Sequence, residues 1–309
     1  MIVTLTINPA IDRTFSVDRL AFEDRSYINS VSESAGGRGV NASCVINSFG
    51  GKTRAVMISG GDTGKRLERL LSDTYPISVV PVEHEIRTNL TITDRHGLTV
   101  NLNEAGPTLS KAEWTGVEKA VRESLNGASW LLVCGSIPPG VPSTFYASLI
   151  TMARRRKVKT LLHADGEVLQ HGIEARPTVA TPNQHEAERL LGRTLLTRSQ
   201  YLEAAEKMRA MGAELVVLSL GSRGAVGAFA DGLIEAIPPR VEAVSPIGAG
   251  DALAAAFSWS MEKKPNPVEA LRWGVAAGTA SARLPGMRFG SLQQTREIYR
   301  QVELRRGET

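Results

Sequence analysis

Short apolar runs alternate with helix-patterned stretches along nearly all of this 309-residue chain. The strand candidates are Ile2–Ile7, Thr53–Ile58, Trp130–Cys134, Lys159–Ala164 and Leu215–Leu220. Between and after them, helical patterns cover Val40–Phe49, Gly64–Leu71, Lys111–Leu125, Ser143–Arg156, Gln184–Leu191, Gln200–Met211, Asp251–Met261, Pro267–Ala282 and Leu292–Val302. Strands buried on both faces read as continuous apolar runs, and strand–helix alternation builds a mostly parallel sheet flanked by helices. The expectation is an α/β fold in one domain spanning 1–309.

Two regions break the alternation. Ile11–Val17 and Tyr27–Ser34 alternate polar with apolar, as do Thr88–Thr93 and Leu98–Leu102 around the turn Asp94-Arg95-His96-Gly97. Together they predict a small β-sheet lid, discontinuous in sequence, built from 11–34 and 86–103. A lid belongs where water has to be kept from a reactive group.

Composition narrows the partners. A net charge of +4 and a pI near 9.2 suit anionic small substrates. Aromatics make up 5% and do not interleave with basic residues, which argues against nucleic-acid binding. Arg154–Lys157 reads as the polar end of a helix and Arg305-Arg306 as a fraying tail. Cys44 and Cys134 form no CxxC pair and lie in apolar settings, so both read as buried thiols. The N-terminus lacks a basic, long-apolar leader, and no apolar run approaches the ~20 residues of a membrane span. A cytoplasmic protein with no membrane partner is expected.

Chemistry concentrates in the glycines. In Ser245-Pro246-Ile247-Gly248-Ala249-Gly250-Asp251 the small residues run straight into a helix. Helix N-termini bind anions because their first amides lack partners. The amides of Ala249, Gly250 and Asp251 are expected to face one pocket, with the Asp251 carboxylate beside the anion. Phosphoryl transfer needs that pairing of donors and base; the plainer alternative is a Gly-rich helix start with Asp251 as N-cap. A P-loop is absent. Gly37-Arg38-Gly39-Val40-Asn41-Ala42 fits a loose dinucleotide pattern, but the strand before it ends at Asn8-Pro9 without glycines. The better reading is a backbone that approaches a ligand closely at Gly36–Gly39, with the Arg38 fork for phosphate and the Asn41 amide for sugar hydroxyls.

In these motifs the chain resembles the ribokinase-like (phosphofructokinase B) carbohydrate kinases. Gly36–Ser43, with Gly50 and Gly60, is similar to the first signature of that family, and Ser245–Asp251 to the second. Thr181-Pro182-Asn183-Gln184-His185-Glu186 resembles its Asn-x-x-Glu motif, and Ser219-Leu220-Gly221-Ser222-Arg223-Gly224 its nucleotide-binding turn. The opening Thr6-Ile7-Asn8-Pro9-Ala10-Ile11-Asp12, the segments Arg87-Thr88-Asn89 and Asn103–Pro107, and the loop Gly135-Ser136-Ile137-Pro138-Pro139-Gly140 are similar to the 1-phosphofructokinase and tagatose-6-phosphate kinase branch. Three positions depart from the pattern: Arg38 and Thr181 where Lys is common, and Ala105 where Pro is frequent.

The resemblance implies a ribokinase-like fold and magnesium–ATP-dependent phosphorylation of a ketohexose phosphate, foremost fructose 1-phosphate to fructose 1,6-bisphosphate. Tagatose 6-phosphate and fructose 6-phosphate are the nearest alternatives. It implies Asp251 as base, with Gly248, Ala249 and Gly250 around the transferring phosphoryl group. Asp12, Gly37, Arg38, Asn41, Arg87 and Ser136 would bind sugar phosphate; Asn183, Ser219, Gly221, Gly224 and Gly278 would bind ATP. Glu186 would meet magnesium through water, and a K+ site would lie near Ser245, Ile247 and Ser281. His84, His96, His163, His171 and His185 show no ligand spacing and are expected to serve structure or solvent. A homodimer through the lid is the expected assembly. A non-enzymatic sugar-phosphate sensor and an NAD dehydrogenase are the readings from other classes.

Overall fold

The computed structural model describes residues 1–21 and 23–307. Its centre is a ten-stranded sheet. Strand β1 (Ile2–Thr6) pairs in parallel with β4 (Thr53–Ser59) on one side and β8 (Trp130–Cys134) on the other. Beyond β4 lies β5 (Ile77–Pro81). Beyond β8 follow β9 (Lys159–His163), β10 (Val179–Ala180) and β11 (Leu215–Ser219), still parallel. The sheet ends in antiparallel β12 (Ala225–Phe229), β13 (Gly232–Ile237) and β14 (Glu303–Gly307). Strand order therefore reverses between β1 and β8, and α/β proteins bind ligands beyond the carboxyl ends of strands at such a reversal.

Period-two alternation divides the central strands β1 and β8 between two cores. Val3 and Leu5 of β1, with Leu131 and Val133 of β8, face α2 (Gly61–Leu71), α3 (Lys111–Ser124) and α4 (Phe145–Arg155). The same core takes in α5 (Gly166–Glu174), α6 (Gln184–Leu191) and α7 (Arg198–Ala210). Ile2, Trp130, Leu132 and Cys134 face the other way, toward α1 (Arg38–Ser48), α8 (Ala249–Lys263), α9 (Pro267–Ala282) and α10 (Leu292–Tyr299). Helix α8 is buried from Asp251 to Met261, and its alanines let α1 and α9 approach on either side. A helix apolar all round is a core helix, and its first turn is thereby held rigidly against the sheet.

The second sheet is four-stranded, in the order β3 (Ile28–Gly36), β2 (Ala10–Val17), β6 (Arg87–Asp94), β7 (Thr99–Asn103). Its registers pair Asp12 with Asn89 and Asn89 with Asn103, then Thr14 with Thr91 and Thr91 with Asn101. Those six polar side chains line a cavity over the main sheet. The alternate positions are mostly apolar, among them Phe15, Val31, Leu90, Ile92, Val100 and Leu102; Val31 is 50% exposed and Leu102 52%. Residue 22, inside the first lid segment, lies outside the described residues.

Several sequence expectations shift. Arg305-Arg306 is part of edge strand β14, hydrogen-bonded to β13, rather than a fraying tail. Cys134 is buried, and burial pushes its thiol well above the usual range, but Cys44 is only partly buried, its Sγ 3.6 Å from the Tyr75 hydroxyl. No helix among the described residues is long and apolar enough to cross a membrane.

Candidate active site

Asp251 sits in the first turn of α8, and the N-cap is Gly248, not Asp251. Gly248 has φ 78°, and a Cβ there would meet Met287 Sδ at 2.8 Å and the Phe289 ring at 2.9 Å. Only glycine takes that left-handed turn in that space. The Ala249 amide donates to the Pro246 carbonyl (3.2 Å), so among the first amides of this turn it is already partnered. The Asp251 carboxylate is buried, with both oxygens engaged: Asn41 Nδ2 donates to Oδ2 at 2.7 Å, and His163 Nε2 lies 3.2 Å from Oδ1. Asn41 is brought there by α1, whose start depends on Gly37 (φ 114°), where a Cβ would stand 2.5 Å from Thr6 Cγ2.

Gly248, Gly250 and Asp251 share a cavity of about 570 Å³ with Gly37, Arg38, Asn41, Asp12, Arg87 and Ser136. Asn183, Ser219 and Ile247 reach the same space. The cavity spans the carboxyl ends of β1, β8 and β9 and the polar face of the lid. Residues not anticipated for it are Thr6, Thr14, Thr91, Asn101, His163 and Met287.

On one side, Arg38 Nη2 donates to Glu186 Oε1 at 2.9 Å, while Glu186 Oε2 accepts from the Asn183 amide at 2.9 Å. Asn183 caps α6 in return, accepting from the Glu186 amide. Glu186 is 1% exposed, so this capping pair is buried rather than on the surface. Burial alone would lower the Arg38 pKa; Glu186 and Asp251 outweigh it and hold the guanidinium above its ordinary value. Arg38 thereby interacts with both acids.

On the other side, Asn89 Nδ2 donates to Asp12 Oδ1 at 2.8 Å. Burial raises the Asp12 pKa, against the pull of Asn89 and Arg87. Arg87 donates to the carbonyls of Asn8 (3.0 Å) and Glu104 (3.1 Å), and burial draws its pKa down against the pull of Asp12. Asn8 Nδ2 donates to Ser136 Oγ at 3.1 Å and to the Ala105 carbonyl. Arg38 Nη1, Arg87 Nε, Asn8 Oδ1 and Asn89 Oδ1 are buried without a partner among the described residues. Such groups are costly unless something binds them, and two cationic donors beside two amide acceptors match an anion carrying hydroxyls.

The remaining predicted residues lie apart. Beyond Ser219, which ends β11, Gly221 opens a 3₁₀ turn and Gly224 caps it; neither glycine lines the cavity. Gly278 is inside α9, against the start of α8. Ser245 and Ser281 bracket that start: the amides of Val244 and Ser245 both reach the Ala282 carbonyl, and the two hydroxyls accept from the Ile247 and Gly290 amides. Hydroxyl and carbonyl oxygens are the donor set K+ takes. Among the described residues, no three His, Cys, Asp or Glu side chains gather as a metal site.

Comparison with known proteins gives a consistent picture. Residues 3–294 match the pfkB family of carbohydrate kinases. The chain is 31% identical over 302 residues to ATP-dependent 6-phosphofructokinase isozyme 2 of Escherichia coli, covering 96% of this chain and 97% of that one. It is 25% identical over 304 residues to 1-phosphofructokinase of Vibrio cholerae, covering 98% and 96%. The structure of Escherichia coli phosphofructokinase-2 in complex with potassium matches at a TM-score of 0.91 and 31% identity, over 97% of this chain and 98% of that one.

Proposed function

We propose a substrate and a mechanism from the premise that this chain belongs to the pfkB family of carbohydrate kinases. Its activity is ATP-dependent phosphorylation of a fructose phosphate at a sugar hydroxyl. Fructose 6-phosphate is the proposed acceptor and fructose 1,6-bisphosphate the product. The greater identity to a 6-phosphofructokinase (31%) than to a 1-phosphofructokinase (25%) favours it. Fructose 1-phosphate, which gives the same product, is the second reading, favoured by the Thr6–Asp12 opening and the Gly135–Gly140 loop.

The observation that carries the reading is a buried Asp251 carboxylate lining one cavity with two guanidinium groups, those of Arg38 and Arg87. The acceptor hydroxyl stands at the carboxylate. Its proton passes to Asp251 as the new O–P bond forms. The bond between the γ-phosphorus and the bridging oxygen breaks, and ADP leaves with that electron pair. The amides of Gly250 and Asp251 at the start of α8 meet the charge spread over the phosphoryl oxygens. Asn183 and Glu186 would meet magnesium through its water shell, and the ion would offset charge on the ATP phosphates. Arg38 spans the interval between that side and Asp251.

Arg87 takes the phosphate that the sugar already carries, while Asp12, Asn89 and Ser136 take its hydroxyls. ATP lies over Ser219 and the turn beyond it. The Escherichia coli protein was solved in complex with potassium; in this chain, K+ at the oxygens near Ser245, Ile247 and Ser281 would add positive charge behind the anion site. The test is kcat/KM for fructose, ribose, fructose 1-phosphate, fructose 6-phosphate and tagatose 6-phosphate at fixed magnesium–ATP. Fructose 6-phosphate is expected to lead and the unphosphorylated sugars to trail. Free fructose or ribose in first place overturns the phosphosugar assignment.

A further inference from the structure

His163 ends β9 at the carboxyl edge of the sheet and is 6% exposed. Its ring nitrogens have different neighbours. Nδ1 is 2.9 Å from the Thr181 carbonyl oxygen, which only accepts. Nδ1 therefore carries a hydrogen. The Thr181 hydroxyl, 3.2 Å from Nδ1, has the Leu162 carbonyl to donate to at 3.3 Å. Nε2 faces Asp251 Oδ1 at 3.2 Å. With Nδ1 protonated, a neutral ring would turn the Nε2 lone pair on a carboxylate oxygen in a buried site, which is repulsive. A second ring proton converts that contact into a charge-assisted hydrogen bond.

We propose that His163 is a positioning residue for Asp251: an imidazolium held between the Thr181 carbonyl and the Asp251 carboxylate. It fixes the carboxylate rotor together with Asn41, each donor occupying one oxygen and leaving a lone pair for the acceptor hydroxyl. It also keeps Asp251 ionised, ready to take that hydroxyl's proton. Helix starts disfavour a cation, but the buried carboxylate 3.2 Å away supplies the opposite charge. The other charged or titratable groups around the pair are Arg38 from α1, with its partner Glu186 from α6, Asp12 from β2, and Cys134, which is in register with His163 on β8. Thr181, where the resembled kinases often carry Lys, holds this histidine through its main chain.

The proposal rests on Asp251 being the base, and two separate measurements keep the ideas apart. Nitrogen chemical shifts of selectively labelled histidine in the free protein report the His163 protons whatever the reaction. Both ring nitrogens protonated near pH 7 is the expected result; a neutral ring overturns the proposal. In kinetics, His163→Ala is expected to lower kcat on the order of tenfold to a hundredfold, the scale of losing a group that orients a functional one, with KM for both substrates little changed. His163→Gln, whose amide nitrogen replaces Nε2 as donor, is expected to recover most of that loss. Wild-type kcat is expected to fall on the alkaline side as the ring loses its proton, and His163→Gln to lack that limb. An unchanged kcat in His163→Ala, or the same alkaline limb in His163→Gln, contradicts it. If instead Asp251→Asn keeps its turnover, the base assignment fails while the nitrogen shifts still stand.

Discussion

Arg87 is anchored on two main-chain carbonyls, so its position is set by the backbone of the β1–β2 connection and the segment after the lid rather than by another acid. A guanidinium so fixed can receive phosphate without first breaking a salt bridge. Arg87→Ala is expected to raise KM for the phosphosugar about 10- to 100-fold, from the roughly 1.5–3 kcal/mol of a charged hydrogen bond. KM for ATP should stay close to that of the parent; the reverse pattern would place Arg87 in the nucleotide half. Asp12 makes a pH-dependent prediction. Burial raises its folded-state pKa, so its ionised form is disfavoured in the free protein. Relative to an uncharged isostere, stability is intact below its ordinary value of 3.8 and is lost as pH rises through the higher folded value. Asp12→Asn should therefore raise the melting temperature at pH 7, with a smaller gain near pH 4, while weakening sugar binding. A gain that is larger at pH 4 contradicts this sign. At this scale the sequence was most legible where motifs are contiguous, as at Asp251. His163 escaped because its partner is 88 residues away; the available signal was its place at the end of an apolar strand, where α/β sites lie.

Among elements, continuous apolar strands and amphipathic helices were readable, and Gln184–Leu191 and Pro267–Ala282 match their expected bounds. Strand β10 is only two residues long, β12 and β13 carry glycines, and β14 reads Glu303-Leu304-Arg305-Arg306-Gly307, so none shows an apolar run. Helix α5 was hidden behind Gly166, at its first position. The lid was legible as four alternating strands, but its parallel β2–β6 pairing required the fold to bring distant segments together. Its polar face closes the cavity; its other face leaves Val31 and Leu102 exposed beside Tyr27 and Ile28. We propose that this face joins a second copy of the chain, since an apolar sheet face of this kind marks an interaction surface. The double variant Val31→Asp, Leu102→Asp is expected to sediment as a monomer where the parent sediments as a dimer. A monomeric parent, or a dimer that survives both charges, contradicts it.

At the scale of the whole molecule, the reversal of strand order between β1 and β8 puts the ends of β1, β8 and β9 under the lid, while α8, buried from Asp251 to Met261, presents its first turn to the same space. The sheet supplies Ser136 and His163, α1 supplies Arg38 and Asn41, and the lid supplies Asp12 and Arg87. A catalytic centre assembled from such separate segments depends on the one carboxylate they surround. The decisive measurement is the turnover of Asp251→Asn with fructose 6-phosphate and saturating magnesium–ATP, alongside calorimetric binding of each substrate. Binding is expected to persist while kcat falls on the order of 10² or more, the scale of losing a general base. An Asp251→Asn enzyme that turns over near the parent rate would contradict the assignment of Asp251 as the group that takes the proton.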